Sequence, residues 1–366
     1  MAETPTPRAT IGIISLGDMG SGLARLLVAH GYAVATNLTG RSQDTHARAA
    51  AANVQTLPTD AALLNTTSLV LSVVPPRDAL ATAQRILAAL PLATPRTATN
   101  PLYFADMNAV SPGSVRAIAA LFAGTPVRFI DGSILGGPPS PPKPAVPVVE
   151  QGGKGEGWAV VAGPPGVGDW TRPLLPTSGP WGIADVEGVH GPHLAGVLRA
   201  KHIGREVGAA SGLKMCFASL SKGYAAIAVQ TVTTARRLGV LDDLKEALGQ
   251  LAPGNLERME RGVVGMGPKA YRWVREMEEI SATHAGEGED QDGGFAPEYI
   301  FRGAAEVFRT VAEDTVLGRE KVGKRERGTT ADDVADVIVE GLRERKRKRT
   351  EQTEQTGGSP YLDPVS

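Results

Sequence analysis

The chain has 366 residues, 42% of them hydrophobic, and its 38 basic and 39 acidic side chains leave a formal charge of −1. That size suits two globular domains with extensions, and the near balance of charge excludes a broad basic footprint, so an anionic ligand must be met by local groups. One cysteine, Cys216, excludes an intrachain disulfide framework and a cysteine-based zinc site and suits a reducing compartment. The opening MAETPTPRAT matches neither a signal nor a transit peptide, and no apolar run reaches membrane-spanning length. A cytoplasmic protein is expected, with neither nucleic acid nor membrane as partner.

From Thr10 to about Asp131, strand-like runs alternate with helix-like ones: ATIGIISL, SGLARLLVAH, YAVATN, RSQDTHARAAAA, SLVLSVV, RDALATAQRILAAL, LYFADMN, SVRAIAALF and VRFID. This alternation predicts βαβ units and a parallel sheet with helices on both faces. The first strand runs into SLGDMGSG, where Ser15, Gly17 and Gly20 take the spacing of the G-x-G-x-x-G turn, with serine in first place. Gly17 would let the backbone approach a pyrophosphate, and Gly20 would let helix and strand pack closely. The helix predicted from Met19 to His30 offers unpaired amides and its positive dipole end to the phosphates. The expected cofactor contacts are therefore Ser15, Leu16, Gly17, Asp18, Met19 and Gly20.

The second strand ends at Asn37, twenty residues after Gly17, where an acid would hold the ribose hydroxyls of NAD. NLTGRS has none. It offers Asn37, Thr39, Arg41 and Ser42 around a 2′-phosphate, with Arg41 giving a charge-assisted contact, which favours NADP(H). The plainer reading leaves Arg41 exposed beside a helix N-cap at Ser42. Two further strand ends line the same crevice. SVVPP sets Val74 and Pro75 against ribose or nicotinamide, and DMNAVSP sets Asn108 at a helix entrance, where Ser111 and Pro112 also make an ordinary cap.

The stretch from Gly136 to Gly168 is rich in proline and glycine around a strand predicted at Trp158 to Ala162, and its PPSPPKP run is read as a crossover loop rather than a polyproline ligand. After an undecided region from Leu174 to Lys201, the pattern is helical through about Leu317. Beyond Gly318 the charge density rises to RERKRKR, six basic residues and one acid, read as a frayed helix and disordered tail. The expected division is a dinucleotide-binding domain over 9–200, an all-α domain over 201–318, to which the resemblance set out next gives substrate binding and dimerisation, and a charged tail over 319–366.

GIISLGDMGSGLA, SVVPP, DMNAVSPG, DGSILGGPP and HIGREVGAASGLKM, in this order, resemble the β-hydroxyacid dehydrogenase superfamily, in the branch carrying a phosphogluconate-dehydrogenase-like carboxy-terminal domain of unknown function. The resemblance spans roughly residues 10 to 315. It implies an α/β Rossmann-type dinucleotide-binding domain followed by an all-α 6-phosphogluconate-dehydrogenase-like C-terminal domain, a homodimer, and NADP-dependent oxidoreduction of a small hydroxy or keto, acidic substrate. Under it, Lys214 is the general acid/base and the DGSILGG segment, with Gly136 and Gly137, holds the substrate's acid group. Two departures stand out. Leu135 replaces the serine usual before the paired glycines, and Ala218 replaces an asparagine four residues after the lysine; Ser133, Ser211, Ser221 or Lys222 would have to compensate.

Helical spacing places Ser211, Lys214, Ala218, Ser221, Lys222 and Ala225 along one stripe, with Leu213, Met215, Cys216 and Phe217 on the packed sides. Hydride transfer at a carbinol carbon needs a group to take or return the hydroxyl proton, and a lysine serves if burial and a neighbouring cation, here Lys222, lower its pKa. His190, His193 and His202 precede this helix without metal-ligand spacing, so no metal is expected. EMEE reads as an exposed helix face. Imine reduction on the same scaffold, and a non-catalytic NADP(H)-binding sensor or interaction protein, are the competing readings.

Overall fold

Residues 6–141, 170–286 and 294–356 are described in the computed structural model of the protein. The chain divides into two compact units, Met1–Met215 and Cys216–Ser366.

The first unit opens with β1 (Thr10–Ile14), α1 (Asp18–Ala29), β2 (Ala33–Asn37), α2 (Gln43–Ala51), β3 (Gln55–Leu57), α3 (Asp60–Thr66) and β4 (Leu69–Ser72). There follow α4 (Ala79–Ala89), β5 (Leu102–Asp106), α5 (Pro112–Ala120), β6 (Val127–Gly132), β7 (Leu175–Ser178), α6 (Gly191–Leu198), β8 (Ala200–Gly204) and α7 (Ala209–Ala218), the last of which runs through the boundary at Met215. One sheet takes them in the order β3-β2-β1-β4-β5-β6-β7-β8, parallel throughout except where β7 runs antiparallel to β6. Strand side chains alternate between the two faces. Leu69, Leu71, Tyr103 and Ala105 therefore join a core beneath α1 and α6, while Val70 and Phe104 join another beneath α3, α4 and α5. Each fully buried Leu, Ile or Phe here is worth about 1.5–3 kcal/mol over an exposed one.

Between β1 and β4 the strand order reverses, so the crevice beyond their carboxyl ends is where such a sheet accepts ligands. The undecided region from Leu174 to Lys201 supplies β7, α6 and the start of β8. This unit therefore continues past residue 200, because β8 pairs with β7 at the sheet edge and leads directly into α7.

The second unit is helical: α8 (Tyr224–Leu238), α9 (Leu241–Leu251), α10 (Pro253–Met266), α11 (Ala270–Ala285), α12 (Ile300–Asp314) and α13 (Ala331–Thr356). Its core includes Val229, Val232, Met259, Val263, Met277, Ile280, Phe308 and Val311. The charged tail expected over 319–366 is corrected by α13. Val334, Ala335, Val337 and Ile338 are buried, Thr330 Oγ1 accepts from Asp333 N–H at 3.1 Å, and Asp332 and Asp333 face the positive end of the helix. Lys245 pairs with Asp332, and Arg236 with Asp336 at 2.6 Å. The charge run had masked an apolar stripe. Among the described residues no helix is long and apolar enough to cross a membrane.

Candidate active site

The turn after β1 holds Ser15 in the left-handed region, φ 75°, so the serine in the first glycine place keeps the backbone shape that glycine would supply freely. Gly17 begins α1 without any side-chain cap, and the first helical bond runs from Ser21 N–H to the Gly17 carbonyl at 2.9 Å. A Cβ on Gly17 would meet nothing within 4 Å, whereas one on Gly20 would stand 2.0 Å from the Ser15 carbonyl oxygen. Open space over Gly17 and uncapped amides at the start of α1 fit a dinucleotide's pyrophosphate. Asp18 is exposed on this turn, Met19 is half-buried against the core, and Leu16 is buried. Arg48, which sequence reasoning missed, reaches back from α2 to donate Nε–H to the Leu16 carbonyl at 2.6 Å and Nη2–H to Thr45 Oγ1 at 3.1 Å.

At the end of β2, Asn37 accepts from both the N–H and the hydroxyl of Thr39, at 2.9 and 2.8 Å, and donates to Asp60 Oδ1 at 2.9 Å. An acid does therefore stand beside Asn37, supplied by α3, and Arg85 pairs with its other oxygen at 2.8 Å. Arg41 is exposed beyond the Gly40 turn. Ser42 starts α2, but its hydroxyl faces Thr45 Oγ1 at 3.1 Å rather than capping the helix. Arg41, Ser42, Thr45 and Arg48 thus cluster at one helix start.

At the ends of β4 and β5, Asn108 is buried and fully engaged. Its Oδ1 accepts from Val74 N–H at 2.7 Å, and its Nδ2 donates to Asp106 Oδ2 at 2.9 Å and Ser72 Oγ at 3.2 Å. Asn108 thus fixes the two strand ends against each other. The Val74 side chain packs into the core, while Pro75 is half-buried. Ser111 caps α5 by accepting from Ser114 N–H at 3.1 Å.

Beyond β6, Lys214 on α7 donates its ammonium to the Ile134 carbonyl at 2.6 Å and is half-buried. Ser133 is wholly buried, with its hydroxyl donated to the Ala210 carbonyl at 2.9 Å. Ser211, equally buried, donates to Asp131 Oδ1 at 2.7 Å. Both hydroxyls are thus committed to partners on distant segments. Gly136 and Gly137 are exposed; Gly136 has φ 122°, and a Cβ on Gly137 would meet nothing within 4 Å.

The expected stripe from Ser211 to Ala225 is broken. A π turn at Ser219–Gly223 follows α7, and its extra residue shifts the angular phase of the side chains after it. Lys222 lies in the second unit, paired with Glu276 and 5.3 Å from the Trp273 ring centre, and so is spent there. Leu213 and Phe217, expected on packed sides, are 43% and 50% exposed, and Cys216 is exposed as well. Glu276 and Glu279, expected on an exposed face, are buried, because Lys222 and Arg275 meet them.

His193 is hydrogen-bonded to the Tyr32 hydroxyl at 2.9 Å, His190 precedes α6 with φ 53°, and His202 lies on β8. Pro138 and Pro139 stand against Gly22 of α1, so the described start of the proline run is packed; the rest, with the strand expected at Trp158 to Ala162, lies outside the described residues.

Residues 10–154 match the family model for the NAD binding domain of 6-phosphogluconate dehydrogenase, and residues 235–311 match a domain of unknown function, DUF1932. No curated protein matches. Among solved structures, the chain is similar to 3-hydroxyisobutyrate dehydrogenase of Mycobacterium tuberculosis with L-serine, at 18% identity and TM-score 0.55, covering 92% of this chain and 99% of that one. It is also similar to 3-hydroxyisobutyrate dehydrogenase of Salmonella typhimurium, at 17% identity and TM-score 0.54, over 90% and 99% of the two chains. A conserved hypothetical protein from Sinorhizobium meliloti 1021 gives 20% identity and TM-score 0.54, over 91% and 97%. At these identities the structures attest the fold. The two family models lie in the order that the motifs run: the chain carries a 6-phosphogluconate-dehydrogenase-type NAD binding domain, followed by a DUF1932 domain at its carboxy-terminal side, in a fold like that of the 3-hydroxyisobutyrate dehydrogenases.

Proposed function

We propose that the protein is an NADP-dependent oxidoreductase that interconverts a small, acidic hydroxy compound and its keto form, with Lys214 as general acid/base. The observation that carries this reading is the Lys214 ammonium held at the Ile134 carbonyl, one residue before the Leu135-Gly136-Gly137 stretch. When bound, the nicotinamide supplies or accepts the hydride. The protein's own residues do the rest. As the neutral amine Lys214 takes the hydroxyl proton during oxidation, and as the ammonium it returns that proton during reduction, while the exposed backbone at Gly136 and Gly137 offers room for the substrate's acid group. The uncapped start of α1 binds pyrophosphate, and Arg41, with Ser42 and Arg48, receives the 2′-phosphate. Asp60 does not repel that phosphate strongly, because Arg85 neutralises it.

We propose further that the protein works as a homodimer through the second unit. Leu220, Ile227 and Ile300 are 73%, 59% and 73% exposed, and all three line one groove that also takes in Ala226, Gly303 and Val307. Sedimentation as a monomer would remove that part of the reading.

The test is calorimetric titration with NADPH and NADH, paired with an NADPH-oxidation screen over keto acids, aldehydes and imines, for wild type and Lys214→Met. Tight NADPH binding, with keto-acid turnover lost in the variant, is the expected result. Turnover confined to imines would make the protein an imine reductase, and binding without any turnover would favour a sensor. Absence of dinucleotide binding would overturn the proposal at its first step.

A further inference from the structure

Asp131, near the end of β6, is wholly buried. Its carboxylate accepts from Ser178 Oγ at 2.7 Å, Gly208 N–H at 2.8 Å, Ser211 Oγ at 2.7 Å and Ser211 N–H at 3.4 Å. Three of these four donors belong to the segment that starts α7. An acid there satisfies amides that lack partners within the helix and meets the positive dipole end, yet α7 has no acid in its own first turn. The cap comes from the sheet instead.

The neighbours of Asp131 continue the attachment. Ser133 Oγ donates to the Ala210 carbonyl at 2.9 Å, Ser178 Oγ accepts from Ala210 N–H at 3.0 Å, and the Ile134 carbonyl accepts from Lys214. Residues 131, 133 and 134 thus hold successive points along α7. In a helix of about 3.6 residues per turn, a slip of one residue swings a side chain by roughly 100°, so the start of α7 decides where Lys214 emerges.

We propose that Asp131 is the positioning residue for Lys214: by capping α7 from the sheet, its carboxylate fixes the register of that helix against residues 131–134 and so the place of the ammonium. This rests on the reading of Lys214 as the proton-transfer group. Asp131 itself is sealed from any substrate and acts through Gly208 and Ser211. Replacing it by asparagine turns an amide N–H₂ toward donors that need an acceptor, and Ser211→Ala removes one bond while leaving those to Gly208 and Ser178.

The experiment uses the full chain as wild type, Asp131→Asn and Ser211→Ala, with Ser178→Ala as a further mild variant should Asp131→Asn fail to fold. Three quantities are read: NADPH affinity by calorimetry, kcat and KM for NADPH-dependent turnover, and the rate at which acetic anhydride labels Lys214 as a function of pH, measured by mass spectrometry. Labelling needs no substrate. The expected result is near wild-type NADPH affinity and a kcat lowered about a hundredfold in Asp131→Asn and about tenfold in the serine variants, with the Lys214 labelling profile displaced in each. An unchanged labelling profile in the variants overturns the proposal, as does a loss of NADPH affinity that parallels the loss of turnover. Full turnover in Lys214→Met would overturn the proposed function instead, and the labelling profile would still decide whether Asp131 positions the lysine.

Discussion

Lys214 and Ile134, eighty residues apart in sequence, meet through a hydrogen bond of 2.6 Å from ammonium to carbonyl. If this ammonium moves the proton, Lys214→Met lowers kcat by roughly 10²–10⁴-fold, the usual worth of general acid–base catalysis, and leaves NADPH affinity close to wild type. Steady-state kinetics beside calorimetry on the same preparation checks both halves. Equal kcat in the two proteins would remove Lys214 from the chemistry.

Ser15 and Gly20 make opposite predictions within one turn. Ser15→Gly relieves a left-handed side-chain-bearing residue and should stabilise the first unit by about 1 kcal/mol, a rise of about 2–4 °C in its melting temperature. Gly20→Ala sets a Cβ 2.0 Å from the Ser15 carbonyl oxygen, a separation that atoms do not tolerate, so the turn must open and dinucleotide binding be lost. Melting curves with and without NADPH test the pair.

The cationic cluster at the start of α2 predicts a change of cofactor preference. Arg41→Ala should weaken NADPH by about 10- to 100-fold, the worth of a charge-assisted hydrogen bond, and leave NADH little changed. Arg48→Ala should weaken both, because its Nε–H also holds the Leu16 carbonyl of the pyrophosphate turn. Calorimetric Kd values for the two dinucleotides decide; an Arg41→Ala protein with wild-type NADPH affinity would place the 2′-phosphate elsewhere.

His193 gives the first unit a pH dependence. Burial holds its imidazole below the ordinary 6.5, and the charges of Arg8, His30 and His190 act in the same direction. The folded state then binds fewer protons than the unfolded one, so the stability that this residue contributes is present above about pH 6.5 and is lost as the pH falls through the lowered folded value. His193→Gln offers Tyr32 a partner that does not titrate, and its melting temperature should fall less steeply below that pH. Superposable profiles for the two proteins would show that His193 does not govern the slope.

The helical end of the chain is predicted to stabilise the second unit. Ile338→Ala, at a position 3% exposed, should cost about 2–5 kcal/mol and accelerate amide exchange in α13 while the sheet is unaffected. Unaltered exchange would mean that the helix is only loosely attached.

What the sequence made legible was local. Alternation of strand and helix patterns over Thr10 to Asp131, the glycine spacing after β1 and the Ser111 cap depend on neighbours a few residues away, and the elements predicted from them are present. Misreadings fell where a distant partner decides. Ser211 appeared free for substrate because its acceptor, Asp131, lies eighty residues upstream. Glu276 looked solvent-facing until Lys222 came to meet it, and the π turn that carries Lys222 has no sequence signature of its own. Asp60 and Arg48 reach the ends of the Rossmann turn and β2 only through helix packing, and α13 concealed its apolar stripe among charges.

Leu135 and Leu174 exchange backbone hydrogen bonds at 2.8 and 3.0 Å, and Ser140 and Thr171 do the same at 3.1 and 3.0 Å. The chain therefore leaves for the proline-rich stretch and comes back through one doorway, with Pro139 wedged against Gly22 at its threshold. The two doorposts are fastened to each other by their own backbone groups, so the pairing at this doorway is made by Leu135, Ser140, Thr171 and Leu174 themselves. A change at Pro139 or Gly22 is therefore felt on both sides of the threshold, by this doorway and by the helix that opens at Gly17.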